Sequence, residues 1–114
     1  MHEMGVVVEL VKIAEEYAIA NRAQKVTRLV LQIGEASTVI PEAVHVCYPA
    51  AVENTMLEGS ELEIEILPAN AVCVKCGKVF NLSAENFDCP ACRSGMWDIL
   101  GGKEVVIKEI EVKA

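Results

Sequence analysis

The chain has 114 residues, of which 53% are hydrophobic and 24% charged, enough for a real core in one domain or two small lobes and too apolar for a disordered segment. A net charge of −7 and a sequence pI near 4.8, with only two Phe, two Tyr and one Trp, exclude a nucleic-acid partner: phosphates are repelled and no stacking platform exists. No run of eighteen apolar residues occurs, and His2 and Glu3 stand where a secretory signal would be basic and then hydrophobic, so neither a membrane span nor a signal is expected.

From Glu3 to Asn21 the pattern is helical, with Met4, Val7, Val8, Val11, Ala14 and Ala18 on one face and Leu10 and Tyr17 at its edge. Val26 to Ile33 reads as a strand ended by Gly34. Pro41 suits the first turn of a second helix beginning at Glu42, and Pro49 is expected to kink or interrupt it, having no N–H to give. After a turn at Glu58-Gly59-Ser60, Glu61, Glu63 and Glu65 alternate with Leu62, Ile64 and Ile66, a strand with one solvated face and one core face that Pro68 closes. Gly101-Gly102 turns the chain into a last strand, Glu104 to Val112, expected to lie inside the sheet beside Leu62–Ile66. The order predicts an α+β fold: a small three-stranded sheet covered by two helices (residues 1–69 plus 101–114), with a zinc-ribbon-like lobe inserted at 70–100.

Within that lobe Cys73-Val74-Lys75-Cys76 and Cys89-Pro90-Ala91-Cys92 are separated by twelve residues. Each C-x-x-C turn aims two sulfurs at one side, and four thiolates about 2.3 Å from one Zn²⁺ complete a tetrahedron. Gly77 eases the bend of the first turn and Pro90 stiffens the second. Two disulfides or redox pairs are the competing assignments, but a redox pair needs a thioredoxin-like βαβ setting that is missing here. Five cysteines, four in a metal site and Cys47 spare, fit a reducing compartment, hence the cytoplasm. An iron–tetrathiolate electron carrier would use similar turns, though with a longer spacer. Zinc thiolates would carry the net charge from −7 to −9, so an acidic surface suits cation handling or a basic protein partner.

Met1-His2-Glu3 has a chemistry of its own. A bulky second residue leaves the initiator Met1 in place, and its free amine, the amide nitrogen of His2 and the imidazole Nδ1 of His2 close fused five- and six-membered rings around one metal. The Glu3 amide or carboxylate supplies a further ligand, and planar nitrogen coordination suits Ni(II) or Cu(II). His45 is expected to be a partly buried, hydrogen-bonded helix residue and Cys47 a small buried hydrophobe. The glutamates of 61–65 read as a solvated strand face. No triad, phosphate-cradling loop or paired-carboxylate pocket is present, so the chain reads as a non-enzyme.

These parts together resemble the HypA/HybF family of nickel-insertion accessory proteins of [NiFe]-hydrogenase maturation. The likeness runs through Met1-His2-Glu3-Met4, Ile33-Gly34-Glu35, Val39-Ile40-Pro41-Glu42-Ala43, Glu58 to Ile64, Leu67-Pro68-Ala69, both cysteine pairs, Gly102-Lys103-Glu104 and Ile110-Glu111-Val112. It implies a metallochaperone with Ni(II) as transient cargo on His2, the Met1 amine and Glu3, and structural Zn(II) on Cys73, Cys76, Cys89 and Cys92. It implies a nickel-handling GTPase and the hydrogenase large-subunit precursor as partners; a homodimer is a separate candidate assembly that neither the residues nor the resemblance decides. Thr38 and Pro49 depart from the family pattern, and residues 70–114 hold no histidine, so the zinc lobe offers no imidazole to nickel. The alternative is a zinc-ribbon protein-interaction module without a nickel role.

Overall fold

The computed structural model describes residues 2–114; Met1 and the side chain of His2 lie outside the description. The elements in order are α1 (His2–Ala20), β1 (Lys25–Gly34), α2 (Pro41–Val52), β2 (Glu61–Leu67), β3 (Asn70–Cys73), β4 (Val79–Asn81), β5 (Trp97–Gly101) and β6 (Val105–Lys113). They form two three-stranded sheets, ordered β2-β1-β6 and β4-β3-β5. Two compact units result: one of residues 1–32, 39–65 and 105–114, the other of 33–38 and 66–104.

The expected α+β architecture is present: two helices, the sheet β2-β1-β6 and a cysteine-bearing ribbon. In the first unit α1 buries Val7, Leu10, Val11, Ala14 and Ala18, α2 buries Val44, Cys47, Tyr48 and Val52, and the two helices pack on each other. Val8, assigned to the buried face from its spacing, is 44% exposed, and Tyr17 is exposed as well. The apolar stripe is narrower than the sequence suggests because Leu10 and Ala14, on its other flank, take the core. With no glycine available, the chain leaves α1 through Arg22, two residues past its last residue Ala20, and the φ of 56° there lets the Ala23 N–H reach the Ala18 carbonyl at 2.9 Å.

The strand order corrects one expectation. β6 is an edge strand, and β1 separates it from β2. β1 buries Val26, Leu29, Val30, Leu31 and Ile33, residues of both parities, as a middle strand covered on both faces does; the alternate charges of β6 suit an edge. Nor is the β2 glutamate face merely solvated. Arg28 on β1 pairs with Glu63 on β2 at 2.9 Å and with Glu109 and Glu111 on β6, while Lys108 reaches Glu65 at 2.8 Å. Ile66, placed in the core by alternation, is 51% exposed.

Two further corrections concern α2. Of the two expectations for Pro49, a kink or an interruption, the second fails: the helix runs through Pro49 to Val52. Proline this close to a helix end deletes only the bond to the residue-45 carbonyl, and buried Tyr48 and Val52 hold the last turn in place. His45 is exposed, not partly buried; Cys47 is buried, as expected.

In the second unit three chain passes meet without side chains between them. A Cβ on Gly34 would overlap the Gly102 carbonyl, and one on Gly102 (φ 98°) would lie 2.5 Å from the Ala69 Cα. Backbone bonds lock the meeting point: the Gly34 N–H to the Glu104 carbonyl, the Glu35 N–H to that of Leu67 and the Ala36 N–H to that of Gly102, at 2.7–2.8 Å. The Glu35 carboxylate completes it, accepting the Ala69 N–H at 3.0 Å, the Ser83 hydroxyl at 2.8 Å and the Asn81 amide at 3.4 Å. The Ala69 backbone donor first, then Ser83, holds this carboxyl below its ordinary value of 4.5. A depressed carboxyl stabilises the fold fully above its unfolded value and loses that contribution as the pH falls through the folded value. The stability difference between wild type and Glu35→Gln should therefore be constant above pH 5 and shrink below about 4.5. Denaturant midpoints of both proteins across pH 3–7 measure it, acid loss of metal being common to the two; a difference unchanged down to pH 3 would contradict the assignment.

Candidate metal centre

The centre grows out of two turns with the same backbone hydrogen-bond pattern. In the first, the Cys73 N–H bonds to the Lys78 carbonyl at 2.9 Å and the Gly77 N–H returns to the Cys73 carbonyl at 2.9 Å. In the second, the Cys89 N–H bonds to the Ser94 carbonyl at 3.0 Å and the Arg93 N–H to the Cys89 carbonyl at 2.8 Å. The residue after each second cysteine is left-handed, Gly77 at φ 78° and Arg93 at φ 59°. Glycine is the natural occupant of that conformation. Glycine marks this requirement in the sequence at Gly77; at Arg93 the only sequence signal is its equal offset from the second C-x-x-C motif.

Sulfur hydrogen bonds repeat the same two-fold pattern. Cys73 Sγ accepts the N–H groups of Cys76 and Lys75, and Cys89 Sγ those of Cys92 and Ala91; Cys76 and Cys92 each accept one, from Lys78 and Ser94. The Cys76 N–H first, then that of Lys75, helps to bring the Cys73 thiol down to about 6. Burial pushes Cys89 up, but the Cys92 and Ala91 donors outweigh it and the net shift is downward. Cys76 gains from its Lys78 donor but is pushed up to about 12 by the neighbouring sulfurs, Cys89 foremost. Four adjacent thiols cannot all ionise without a cation among them.

The four Sγ atoms lie within 4.8 Å of one another, with Cys73–Cys92 and Cys76–Cys89 at 3.5 Å. A tetrahedron with Zn–S bonds of about 2.3 Å has edges of about 3.8 Å, so the quartet fits zinc. All five cysteines are free thiols, which removes the disulfide alternative. Cys73 and Cys89 are buried in a small core with Ala69, Ala71, Phe80 and Leu82, flanked by Trp97 and Ile99, while Cys76 and Cys92 are exposed. Metal and core are thus continuous: each turn gives one sulfur to the interior and one to the surface.

Of the other candidate ligands, only Glu3 falls wholly within the described residues. Glu3 stands in the first turn of α1 in the other unit, and Met1 and the His2 side chain lie outside the described residues. Among the described residues the cysteine quartet is the one group of His, Cys, Asp and Glu side chains close enough to hold a metal, and no helix is long and apolar enough to cross a membrane.

The fold and this centre define a small α+β protein built on a closed tetrathiolate, a metal site with no coordination position left for a substrate. A family model described as hydrogenase/urease nickel incorporation, metallochaperone, hypA, matches residues 1–112. The chain is 38% identical over 113 residues to the hydrogenase maturation factor HypA of Geobacter metallireducens, covering 99% of this chain and all of that one. With the HypA of a Nostoc species it is 40% identical over 113 residues, covering 99% and 96%. The solution structure of the nickel metallochaperone HypA from Helicobacter pylori superimposes with a TM-score of 0.69 at 28% identity, over 98% of this chain and 97% of that one. The chain belongs to the HypA family, the nickel metallochaperones of hydrogenase maturation; the family is one of maturation factors rather than catalysts.

The equivalence of the two turns is open to measurement. No heavy atom lies within 4 Å of a Cβ built on Gly77, so Gly77→Ala should cost only the left-handed conformation, about 1 kcal/mol of zinc-loaded stability. Arg93→Gly should raise stability by up to about 1 kcal/mol. Denaturant unfolding of both variants checks this, and a destabilised Arg93→Gly would show that the turns are not alike.

Proposed function

We propose that the chain carries Ni(II) at its amino terminus and delivers it, with a nickel-handling GTPase, to the large-subunit precursor of a [NiFe]-hydrogenase in the cytoplasm. In this reading nickel belongs to the segment 1–69 plus 101–114 and zinc to 70–100. The ligands are the Met1 amine, the amide nitrogen and imidazole Nδ1 of His2, and Glu3.

The observation that carries the reading is where α1 begins. The helix starts at His2, and the first four N–H groups of a helix have no intrahelical partner. The amides of His2 and Glu3 are therefore free of the hydrogen-bond ladder, and one can lose its proton to a metal without unravelling a turn. A helix N-terminus also repels a cation, by about half a unit charge of macrodipole. A deprotonated amide and the Glu3 carboxylate offset that repulsion, and the residue of it favours release. A site of this kind holds nickel at the surface, where the next protein can take it, whereas the closed thiolate quartet has no vacancy for exchange.

Untagged, zinc-loaded protein exposed to nickel and then desalted should hold one zinc and about one exchangeable nickel. His2→Ala, and separately a short extension before Met1 that turns its amine into an amide, should each abolish tight Ni(II) binding and leave zinc and fold unchanged. Calorimetry showing wild-type nickel affinity in both variants would remove the chelate.

A further inference from the structure

Residues 29–74 contain no lysine or arginine and seven glutamates. α2 lies in the middle of this stretch. Its outer face carries Glu42, His45, Val46, Pro49, Ala50 and Glu53, all exposed and spaced three and four apart, so they form one stripe along the helix. Val46 at its centre is 79% exposed. Neither it nor Pro49 serves the helix: a β-branched residue on an outer face loses rotamer freedom without gaining contacts, and proline is the poorest helix former. Pro49 has no N–H, so the His45 carbonyl lacks its usual donor in the exposed part of the helix.

The chemistry of the stripe is one-sided. An apolar centre of Val46, Pro49 and Ala50 is bounded by two carboxylates eleven residues apart, roughly 16 Å along the axis. The ion pairs among the described residues belong to Arg28 and Lys108, and none uses Glu42 or Glu53. The surrounding unit holds twelve acidic against six basic residues, a net −6.

We propose that the outer face of α2 docks a protein partner's segment bearing an apolar side chain flanked by arginine or lysine. The apolar group covers Val46 and Ala50, and the cations meet Glu42, Glu53 and the carbonyl of His45, which Pro49 deprives of its usual donor. A second copy of this chain does not fit, since the same stripe would set glutamates against glutamates. A free polyamine would meet the carboxylates and leave Val46 exposed. The surface is independent of the nickel ligands and goes beyond the nickel reading.

The test uses full-length, zinc-loaded protein and its amide NMR shifts. The probe is a helical peptide of about sixteen residues with leucines at its centre and arginines in its first and last turns. Its controls are the same composition in scrambled order, the peptide with Glu for Arg, and spermidine. Shifts should centre on residues 42–53, with the ordered peptide about tenfold tighter than the scrambled one. Val46→Asp and the double substitution Glu42→Gln, Glu53→Gln should each weaken binding about tenfold. Pro49→Ala should weaken binding while raising the melting temperature, a combination that a purely structural proline would not produce. Equal affinity for ordered and scrambled peptides, shifts elsewhere, wild-type binding by Val46→Asp, spermidine shifts matching those of the peptide, or self-association burying α2 would each overturn the proposal.

Discussion

The second unit of this protein has 45 residues and buries six residues in its core, two of which are the cysteines Cys73 and Cys89. A core of that size falls short of the conformational entropy it must overcome, and small domains meet the deficit with a disulfide or a metal. Here four converging thiols supply the ligands for the second device. Convergence of four thiols within 4.8 Å fixes the two turns and through them β3, β4 and β5. The glycine contacts at Gly34 and Gly102 and the three donors on Glu35 then tie residues 33–38 and 101–104 to the same unit. Without the metal, four crowded thiols would have to share protons, as the opposed shifts of Cys73 and Cys76 indicate.

A staple of this kind is unsuited to being cargo, which separates the two metals by chemistry. Soft thiolates in a closed tetrahedron retain zinc. Nickel in transit calls for borderline nitrogen donors, ready access and an affinity that a partner can overcome. A helix start supplies free amides and a disfavouring dipole at the same point, a balance that a buried cage would not give. The acidic first unit adds a favourable field for cations and for basic partners.

The parts of this arrangement legible in the sequence were those written in local spacing. The cysteine quartet, the extent of α1, the alternation opening β2 and the buried Cys47 each depend on residues a few positions apart. What escaped was set by distant neighbours. Nothing local to β6 says that β1 will stand between it and β2; only the double-sided burial of Val26 to Ile33 decides that. The pairing of Glu63 and Glu65 with Arg28 and Lys108 follows from that order and was invisible without it. The apolar neighbours of His45 in sequence suggest burial, but helical geometry turns Val44 inward and His45 and Val46 outward. Arg93 in a glycine-like conformation is of another kind: its place after the second C-x-x-C matches that of Gly77 after the first, but an arginine carries no sign of the left-handed backbone that a glycine shows.

With the proposed ligands, zinc and nickel occupy chemically distinct sites, and loading one leaves the other intact. X-ray absorption at both metal edges on untagged protein carrying one zinc and one nickel addresses it directly. The account predicts four sulfur neighbours at about 2.3 Å around zinc, the same before and after nickel loading, and a nickel shell of nitrogen and oxygen only. Sulfur in the nickel shell, or a zinc shell that loses sulfur when nickel is added, would contradict it.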